Sequence, residues 1–258
     1  MLGLVLACGC SSPGRPRDEG AAHVESPPVA VVAADPAAHA DAGLVPDAPG
    51  AAADAAGAAA DGPAITDAPM AWSAERERLT LAYRRQHSDP DAADIAIDPR
   101  VIVLHYTASG SATATRRYFD NLKMEAARKQ LAAAGAVNVS AHFVVDRDGT
   151  IYQLQPVTRF ARHCIGLNHV AIGIENVGDE ARFPLTDAQV AADAALVRSL
   201  AQRYRITHLL GHHEVMGFRD HPYYVERDRA YRNEKPDPGP RFMALVRARV
   251  ADLDLHGP

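Results

Sequence analysis

The stretch "VIVLHYTAS" (101–109) decides the class of fold. Its first four residues form a continuous apolar and largely β-branched run, which is typical of a buried strand. The run ends at His105, where small and polar residues begin. Similar apolar runs lie in "VAIGIENVG" (170–178) and in "ITHLLGHH" (206–213), and the latter leads into His212. We expect these three runs to be strands of one sheet.

The segments around these runs predict helices and one hairpin. The segment 184–206 contains Thr186 followed three residues later by Gln189, which is the signature of a helix capping box. The segment "VSAHFVVDRDGTIYQLQP" (139–156) holds two short strands around an Asp-Gly turn. Further helices are predicted at 73–88, 113–135 and 239–253. The combination predicts an α/β fold with a mixed central β-sheet flanked by α-helices.

Charge is distributed unevenly along the chain. The segment from Ala21 to Met70 contains seven acidic residues and neither lysine nor arginine, whereas the whole chain has a net charge of −5. Because the first 20 residues are neutral, the part from residue 71 onward carries about +2. A nearly neutral domain offers no basis for nucleic-acid binding, so we expect no nucleic-acid partner.

Residues 11–70 are rich in Ala, Pro, Gly and Asp and poor in large apolar side chains. Such a segment cannot bury enough apolar surface to offset the entropy that is lost when a chain becomes ordered. We therefore predict a disordered linker over residues 11–70 and one folded domain over residues 71–258.

The first ten residues, "MLGLVLACGC", contain a short apolar run, a small residue and then Cys8. This order resembles a bacterial lipoprotein signal, in which such a cysteine becomes lipidated, although no positive charge precedes the run. An ordinary clipped signal peptide or a disordered N-terminus remains the alternative. The lipoprotein interpretation predicts a signal remnant at 1–10 and a protein of the bacterial cell envelope, in the periplasm, anchored to a membrane by lipid on Cys8.

Histidines at strand ends are the first candidates for chemistry. Open sheets place functional groups where their strands end, and His105 and His212 both follow an apolar run. A lone histidine at such a place is more often a buried structural residue, but two from separate strands favour a metal site. The neighbouring "HHEVMG" does not match the H-E-x-x-H zinc motif, because the fourth position after His213 is Gly217.

The segment Lys235-Pro-Asp-Pro-Gly239 pairs a cation and a carboxylate, each in front of a proline. Residues before proline favour extended backbone, so Lys235 and Asp237 are expected to project to the same side. A carboxylate can complete a zinc site with two histidines, and a nearby cation can stabilise charge that develops on a substrate oxygen. A solvated, proline-rich turn explains the same residues more simply, and on these residues alone both interpretations stay open.

Glu175 lies among apolar neighbours in "AIGIENV", where an unpaired carboxylate is costly. The strand pattern places Ala171, Gly173 and Glu175 on one face, and the two small residues are expected to leave room above it. A glutamate there can have a raised pKa and act as a general base. A buried structural ion pair, for example with an arginine, is the alternative.

Five ordered blocks together resemble the zinc-dependent N-acetylmuramoyl-L-alanine amidases, a family shared with the peptidoglycan-recognition proteins. The blocks are "VIVLHYTAS", "VSAHFVVDRDGTIYQL", "ARHCIGLNHVAIGIENVG", "ITHLLGHHEV" and "NEKPDPG". The resemblance spans roughly residues 98–248 and implies the single-domain fold of that family.

The resemblance implies Zn²⁺ as the cofactor and assigns roles to individual positions. The implied metal ligands are His105, His212 and Asp237. The implied catalytic residues are Glu175 as general base and Lys235. The expected substrate-binding residues are His163, Tyr106, Asn176 and His142, with simple packing as the alternative for His142. His213 is expected not to be a ligand.

The reaction implied by the resemblance is hydrolysis of the amide bond between N-acetylmuramic acid and L-alanine in peptidoglycan or muropeptides, with zinc-activated water. A non-catalytic peptidoglycan-binding protein of the same fold and a metallohydrolase acting on another amide are the alternatives. We expect a monomer that meets a membrane only through its lipid anchor. The segment 216–232 is longer than in compact members of the family and is expected to form part of a cleft wall.

Overall fold

A computed structural model describes residues 62–258, and its centre is a six-stranded sheet with the order β1-β4-β3-β5-β2-β6. The pair β3–β4 is antiparallel and every other neighbouring pair is parallel, which confirms the predicted mixed sheet. The strands are β1 (Ile65–Asp67), β2 (Val101–Tyr106), β3 (Phe143–Val145), β4 (Ile151–Gln153), β5 (Ala171–Asn176) and β6 (His208–Gly211).

Within residues 62–258, five α-helices flank this sheet, which confirms the predicted flanking of the sheet by helices. They are α1 (Ala74–His87), α2 (Ala112–Asp120), α3 (Lys129–Ala133), α4 (Asp187–Arg203) and α5 (Pro240–Arg249), with short 3-10 turns at His212–Glu214 and Ala251–Leu253. The predicted capping box at the start of α4 is present, because Thr186 Oγ1 accepts from Gln189 N–H and Gln189 Oε1 accepts from Thr186 N–H. None of the helices in residues 62–258 combines the length and the apolar character needed to cross a bilayer.

The alternation of side chains along β2 divides the core between the two faces of the sheet. Ile102 and Leu104 are fully buried in the largest cluster, which α4 and α5 share. Val101 and Val103 point to the opposite face, into a cluster with residues of the loops around β5 and β6. Because side chains alternate along a strand, His105 shares this second face.

The helix predicted over residues 113–135 is interrupted, so that part of the prediction is wrong. Helix α2 ends at Asp120, and α3 begins only at Lys129. Asn138 donates its side-chain N–H to Tyr118 O, and its backbone N–H to Leu122 O. These carbonyls are therefore used by a distant segment rather than by a further helical turn.

The predicted linker boundary at residue 70 is also wrong. Strand β1 pairs in parallel with β4, and Ile65 lies opposite Ile151. Ala68 and Met70 are buried in a cluster with Phe119 and Leu154. Strand β1, which lies at the end of the predicted linker, thus pairs with the edge of β4. Ordered structure therefore begins before residue 71. Cys8, and the rest of the linker up to residue 61, lie outside the described residues.

The segment 216–232 docks against α1. Arg227 N–H donates to His87 O over 2.9 Å, and the imidazole of His87 contacts the carboxylate of Glu226 over 2.8 Å. Tyr231 is buried beside Tyr83 of α1 and stacks near His87. The chain between the two candidate ligands His212 and Asp237 is therefore held by α1, the helix that precedes β2.

Candidate metal centre and active site

Three separate segments bring His105, His212 and Asp237 together at one end of the sheet. His105 lies near the carboxyl end of β2, and His212 directly follows β6. These two strands are parallel neighbours in which Leu104 pairs with Gly211, so the two histidines emerge at the same edge. Asp237 enters from the segment before α5, and all three side chains are buried.

The ligand atoms of these residues form a compact triangle. His105 Nδ1 lies 2.9 Å from His212 Nδ1, and each nitrogen lies 3.2 Å from Asp237 Oδ2. For zinc bound tetrahedrally at roughly 2.0–2.2 Å, ligand atoms stand about 3.3–3.6 Å apart, so an ion would need these atoms to separate by a few tenths of an ångström. Two imidazoles and one carboxylate at this spacing fit a zinc ion, and leave one of the four positions for another ligand.

The surroundings of His105 and Asp237 favour the protonation states that a metal ligand needs. Burial and then the neighbouring His212 lower the pKa of His105 to about 4, so its imidazole is neutral near pH 7. Burial raises the pKa of Asp237, but the two histidines outweigh this effect and hold the pKa below its usual value. A neutral imidazole beside an ionised carboxylate is ready to bind a cation.

His163 orients His105 from behind. His163 Nε2 lies 3.2 Å from Ala171 O, and because a carbonyl only accepts, this nitrogen carries the proton. His163 Nδ1 can then accept from His105 Nε2–H over 3.0 Å, which leaves the Nδ1 lone pair of His105 for the metal. Both ring nitrogens of His163 are thus engaged by protein partners, and because the residue is half-buried its substrate contact stays a prediction.

The space expected above the small residues of β5 is filled. A Cβ atom on Gly173 would lie 2.7 Å from Cγ of His163, so the imidazole packs directly on the glycine. Glycine at position 173 is required by this close approach, since only a residue without a side chain lets the ring reach His105.

Glu175 shares the face of His105, because the two residues are register partners in β5 and β2. Its Oε2 atom is buried and has no hydrogen-bond partner among the described residues. Burial, and then the charge of Asp237, raise the pKa of Glu175 well above its usual value, against the opposing effects of Lys235 and Arg128. The unpartnered oxygen argues against the ion-pair alternative and suits a group that exchanges a proton.

Lys235 lies in the same neighbourhood and is half-buried. Burial lowers its pKa, whereas the charges of Asp237 and Glu175 act in the opposite direction. The positive charge of Arg128 lowers the pKa of both Lys235 and Glu175. Arg128 also donates a hydrogen bond to the hydroxyl of Tyr118 over 2.9 Å. Sequence reasoning gave Arg128 no role, because no motif near residue 128 indicates that its charge lies near Glu175 and Lys235.

Two predicted substrate contacts are wrong for a clear geometric reason. Asn176 is fully buried on the α4 face of the sheet, where it donates to Asp193 Oδ2 over 2.8 Å. His142 is also fully buried; its Nε2 donates to Arg159 O, and its Nδ1 accepts from Gly173 N–H. The Oδ1 atom of Asn176 has no partner among the described residues, but it is buried on the face of the sheet opposite His105. Both ring nitrogens of His142 are hydrogen-bonded, so for His142 the packing alternative holds.

Tyr106 remains near the candidate site. It is half-buried at the end of β2, next to the candidate ligand His105. Burial first, and then the charges of Asp237 and Glu180, raise the pKa of Tyr106 to about 12, so the phenol is neutral at physiological pH. Its substrate contact stays a prediction.

Comparison with known proteins assigns the family. The family model described as N-acetylmuramoyl-L-alanine amidase matches residues 96–240, more than half of the chain. The endolysins of Escherichia phage T7 and Enterobacteria phage T3 are 34% and 33% identical over 86 residues, which is 31% of this chain and 57% of each endolysin. The chain thus spans little more than half the length of these curated relatives.

Among solved structures, the endolysine N-acetylmuramoyl-L-alanine amidase LysCS from Clostridium intestinale URNW is similar, with a TM-score of 0.47 and 22% identity. That similarity covers 73% of this chain and 96% of LysCS. The match of the family model covers β2 to β6, including both candidate histidine ligands and Asp237. The chain therefore belongs to the N-acetylmuramoyl-L-alanine amidase family.

Proposed function

We propose that the protein hydrolyses the amide bond between N-acetylmuramic acid and L-alanine in peptidoglycan or muropeptides. The observation that carries this proposal is the triangle of His105, His212 and Asp237 beside the unpartnered carboxylate of Glu175. Family membership supports the choice of bond. The donor set supports zinc as the cofactor, since buried histidine and carboxylate ligands with an open fourth position are typical of catalytic zinc sites.

The protein's own groups would divide the work as follows. When bound, zinc supplies a Lewis acid that makes water a nucleophile near neutral pH. Glu175 Oε2 takes a proton from the attacking water and returns it to the nitrogen of the departing L-alanine. Its raised pKa suits both steps, because a carboxyl group whose pKa lies closer to neutral pH can both accept and release the proton.

Lys235 would stabilise the negative charge that develops on the carbonyl oxygen of the substrate. The charges of Asp237 and Glu175 both act on the pKa of Lys235, which supports a cation close to the ligand triangle. A half-buried ammonium acts on that charge more strongly than one in bulk water, because less solvent screens it. His163, through its contact with His105 Nε2, would hold that ligand in place meanwhile.

A non-catalytic binding protein of the same fold is the second candidate. Such a protein has no need for a complete set of ligands or for a proton-exchanging carboxylate. This chain keeps both, which favours catalysis. A metallohydrolase for a different amide would share the site and differ only in the residues around it.

The test is a digestion of purified sacculi by the chain with and without a chelator. We expect stem peptides with a free L-alanine amine, detected by mass spectrometry, and their loss when the chelator removes the metal. The Glu175→Gln variant is the matched control, since it should keep zinc but release no peptides. Disaccharides released with their peptides still attached would indicate a glycosidase and contradict the proposal.

We propose in addition that the protein acts in the cell envelope, in the periplasm, as a monomer tethered by a lipid on Cys8. The support is the sequence of residues 1–10 and the linker-like composition from residue 11 to the start of β1. Metabolic labelling with a fatty acid should mark the natural chain but not the Cys8→Ser variant. Labelling that persists in Cys8→Ser would contradict the anchor.

A further inference from the structure

The 3-10 turn after β6 consists of His212, His213 and Glu214, and only the first of them belongs to the ligand triangle. His213 faces Asp237 instead. Its backbone N–H donates to Asp237 O over 2.8 Å, and its Nδ1 lies 3.2 Å from the same carbonyl oxygen. Because a carbonyl only accepts, Nδ1 carries the proton. Two donors from one residue therefore converge on the backbone of a candidate ligand.

The imidazole of His213 packs closely on Gly211. A Cβ atom on Gly211 would lie 2.6 Å from Cε1 of His213 and 2.9 Å from Cγ of Met243. The backbone of Gly211 has φ −85°, which any residue adopts, so the glycine is required by the close approach of the ring. The ring of His213 thus packs directly on the backbone at the end of β6.

The turn itself is anchored on its other side. Glu214 Oε2 accepts from Gly211 N–H over 2.7 Å, and both carboxylate oxygens accept from Arg247 of α5 at 2.7 Å. Arg247 also donates to Leu209 O over 2.7 Å. A charged pair with two parallel hydrogen bonds fixes orientation well, so the position of His213 is set by the fold before any metal binds.

The prolines on either side of Asp237 explain why its backbone needs to be held by hydrogen bonds. It lies between Pro236 and Pro238, in a segment without helix or strand. Neither proline has an N–H group, so the neighbouring peptide units cannot tie the segment down as donors. The Asp237 carbonyl is the point where this segment is hydrogen-bonded to the β6 turn.

We propose that His213 is a positioning residue of the metal centre, which aims the Asp237 carboxylate by holding the carbonyl of the same residue. Three consecutive residues then serve one site: His212 binds the metal, His213 holds the third ligand and Glu214 anchors the turn. The inference rests on the proposed zinc site. Partners behind metal ligands commonly change metal affinity by about 10–100-fold when they are removed.

The test measures zinc affinity of the full chain by competition with a chromophoric chelator. His213→Leu keeps the bulk of the ring and removes the side-chain donor, so we expect affinity to fall by roughly tenfold or more. His213→Asn restores an N–H close to the position of Nδ1, and we expect it to recover most of the affinity. Gly211→Ala should act like His213→Leu, because the added methyl group displaces the ring.

His221→Leu is the matched control. His221 is also a half-buried histidine, but its ring stacks on Phe218 and packs on His208, at the opposite end of β6. It should keep the zinc affinity of the natural chain. The melting temperature of each zinc-free variant shows whether the fold is intact.

Equal zinc affinities of His213→Leu and the natural chain would overturn this inference and leave the proposed function standing. Equal weakening by Leu and Asn would also overturn it, since the side-chain hydrogen bond would then not be the cause. Failure of the natural chain itself to bind zinc would overturn the proposed function and the inference together.

Discussion

Two histidine clusters lie at opposite ends of β6, and they differ in what their side chains meet. At the carboxyl end, His105 and His212 direct ring nitrogens at each other and at the carboxylate of Asp237, at 2.9–3.2 Å. At the amino end, His208 meets His221 and His256 through ring faces and edges, with ring centroids 4.8 and 5.4 Å apart. We call these the ligand cluster and the ring cluster.

The contrast shows that a group of histidines is not by itself a metal site. In the ring cluster, Phe218 and Tyr223 pack against the imidazole of His208, so this histidine takes part in aromatic packing. In the ligand cluster, the carboxylate and the His163 partner make the lone pairs converge. Whether a group of histidines can bind a metal depends on the direction of the ring nitrogen atoms and on the presence of a carboxylate among them.

The largest expected effect comes from removing the carboxylate of the ligand cluster. Asp237→Ala deletes the group 3.2 Å from both ring nitrogens, so zinc affinity should fall by more than about 100-fold and activity with it. Metal analysis of the purified variant measures this. His256→Ala, the corresponding truncation in the ring cluster, should leave the zinc content unchanged. Normal zinc in Asp237→Ala would refute the ligand assignment.

Lys235 separates metal binding from turnover within the ligand cluster. Lys235→Met keeps most of the side-chain length and removes the positive charge. Turnover should fall by roughly 10²–10³-fold, as for the loss of one stabilising donor in other enzymes, while the zinc content stays that of the natural chain. Steady-state kinetics and metal analysis on one preparation check both. An equal loss of zinc would place Lys235 in the structure of the site rather than in its chemistry.

The ring cluster is expected to show its own pH dependence. Burial, and then His221 and His256, lower the pKa of His208 to about 4, whereas an unfolded histidine titrates near 6.5. Stability that is fully present above pH 6.5 is therefore lost as the pH falls toward 4. Urea unfolding between pH 4 and 7 measures this loss.

His208→Leu provides the comparison for that measurement. It removes the titrating ring while its neighbours Phe218 and Tyr223 still offer an apolar contact. The free energy of unfolding should depend less steeply on pH in the variant than in the natural chain. Identical slopes would show that acid lability comes from elsewhere, for example from the buried His142.

The smallest expected effect concerns backbone stiffness at the ligand cluster. Pro236→Gly adds conformational freedom one residue before Asp237, and such changes typically cost about 0.4–1 kcal/mol. Zinc affinity should fall by a few-fold, and turnover with it, while the domain stays folded. Chelator competition and a circular dichroism melt measure the two properties. A zinc affinity equal to that of the natural chain would show that the His213 contacts alone hold the ligand.

Elements with local signals were predictable from the sequence. The apolar run of β2, the Asp-Gly hairpin between β3 and β4 and the capping box of α4 are all present. Each depends on residues that are close in the chain. The break after α2 and the pairing of β1 escaped prediction, because distant partners, Asn138 and β4, decide them.

The candidate site divides in the same way. Sequence reasoning and the family resemblance identified His105, His212 and Asp237, since strand ends and motif order are visible in a linear chain. They misplaced Asn176, because one step along β5 turns a side chain to the other face. They left His142 open between a substrate contact and simple packing, and the structure favours packing because both of its ring nitrogens have backbone partners.

The sequence by itself therefore determined the class of sheet, the main helices and the residue types that can bind zinc, because short-range pattern specifies these. Only the tertiary structure decided where each lone pair points, which carboxylate stays unpartnered and which histidine holds the Asp237 carbonyl. Those properties arise from contacts between segments far apart in the chain. The direction of a side chain is set by the neighbours that pack on it and not by its own residue type.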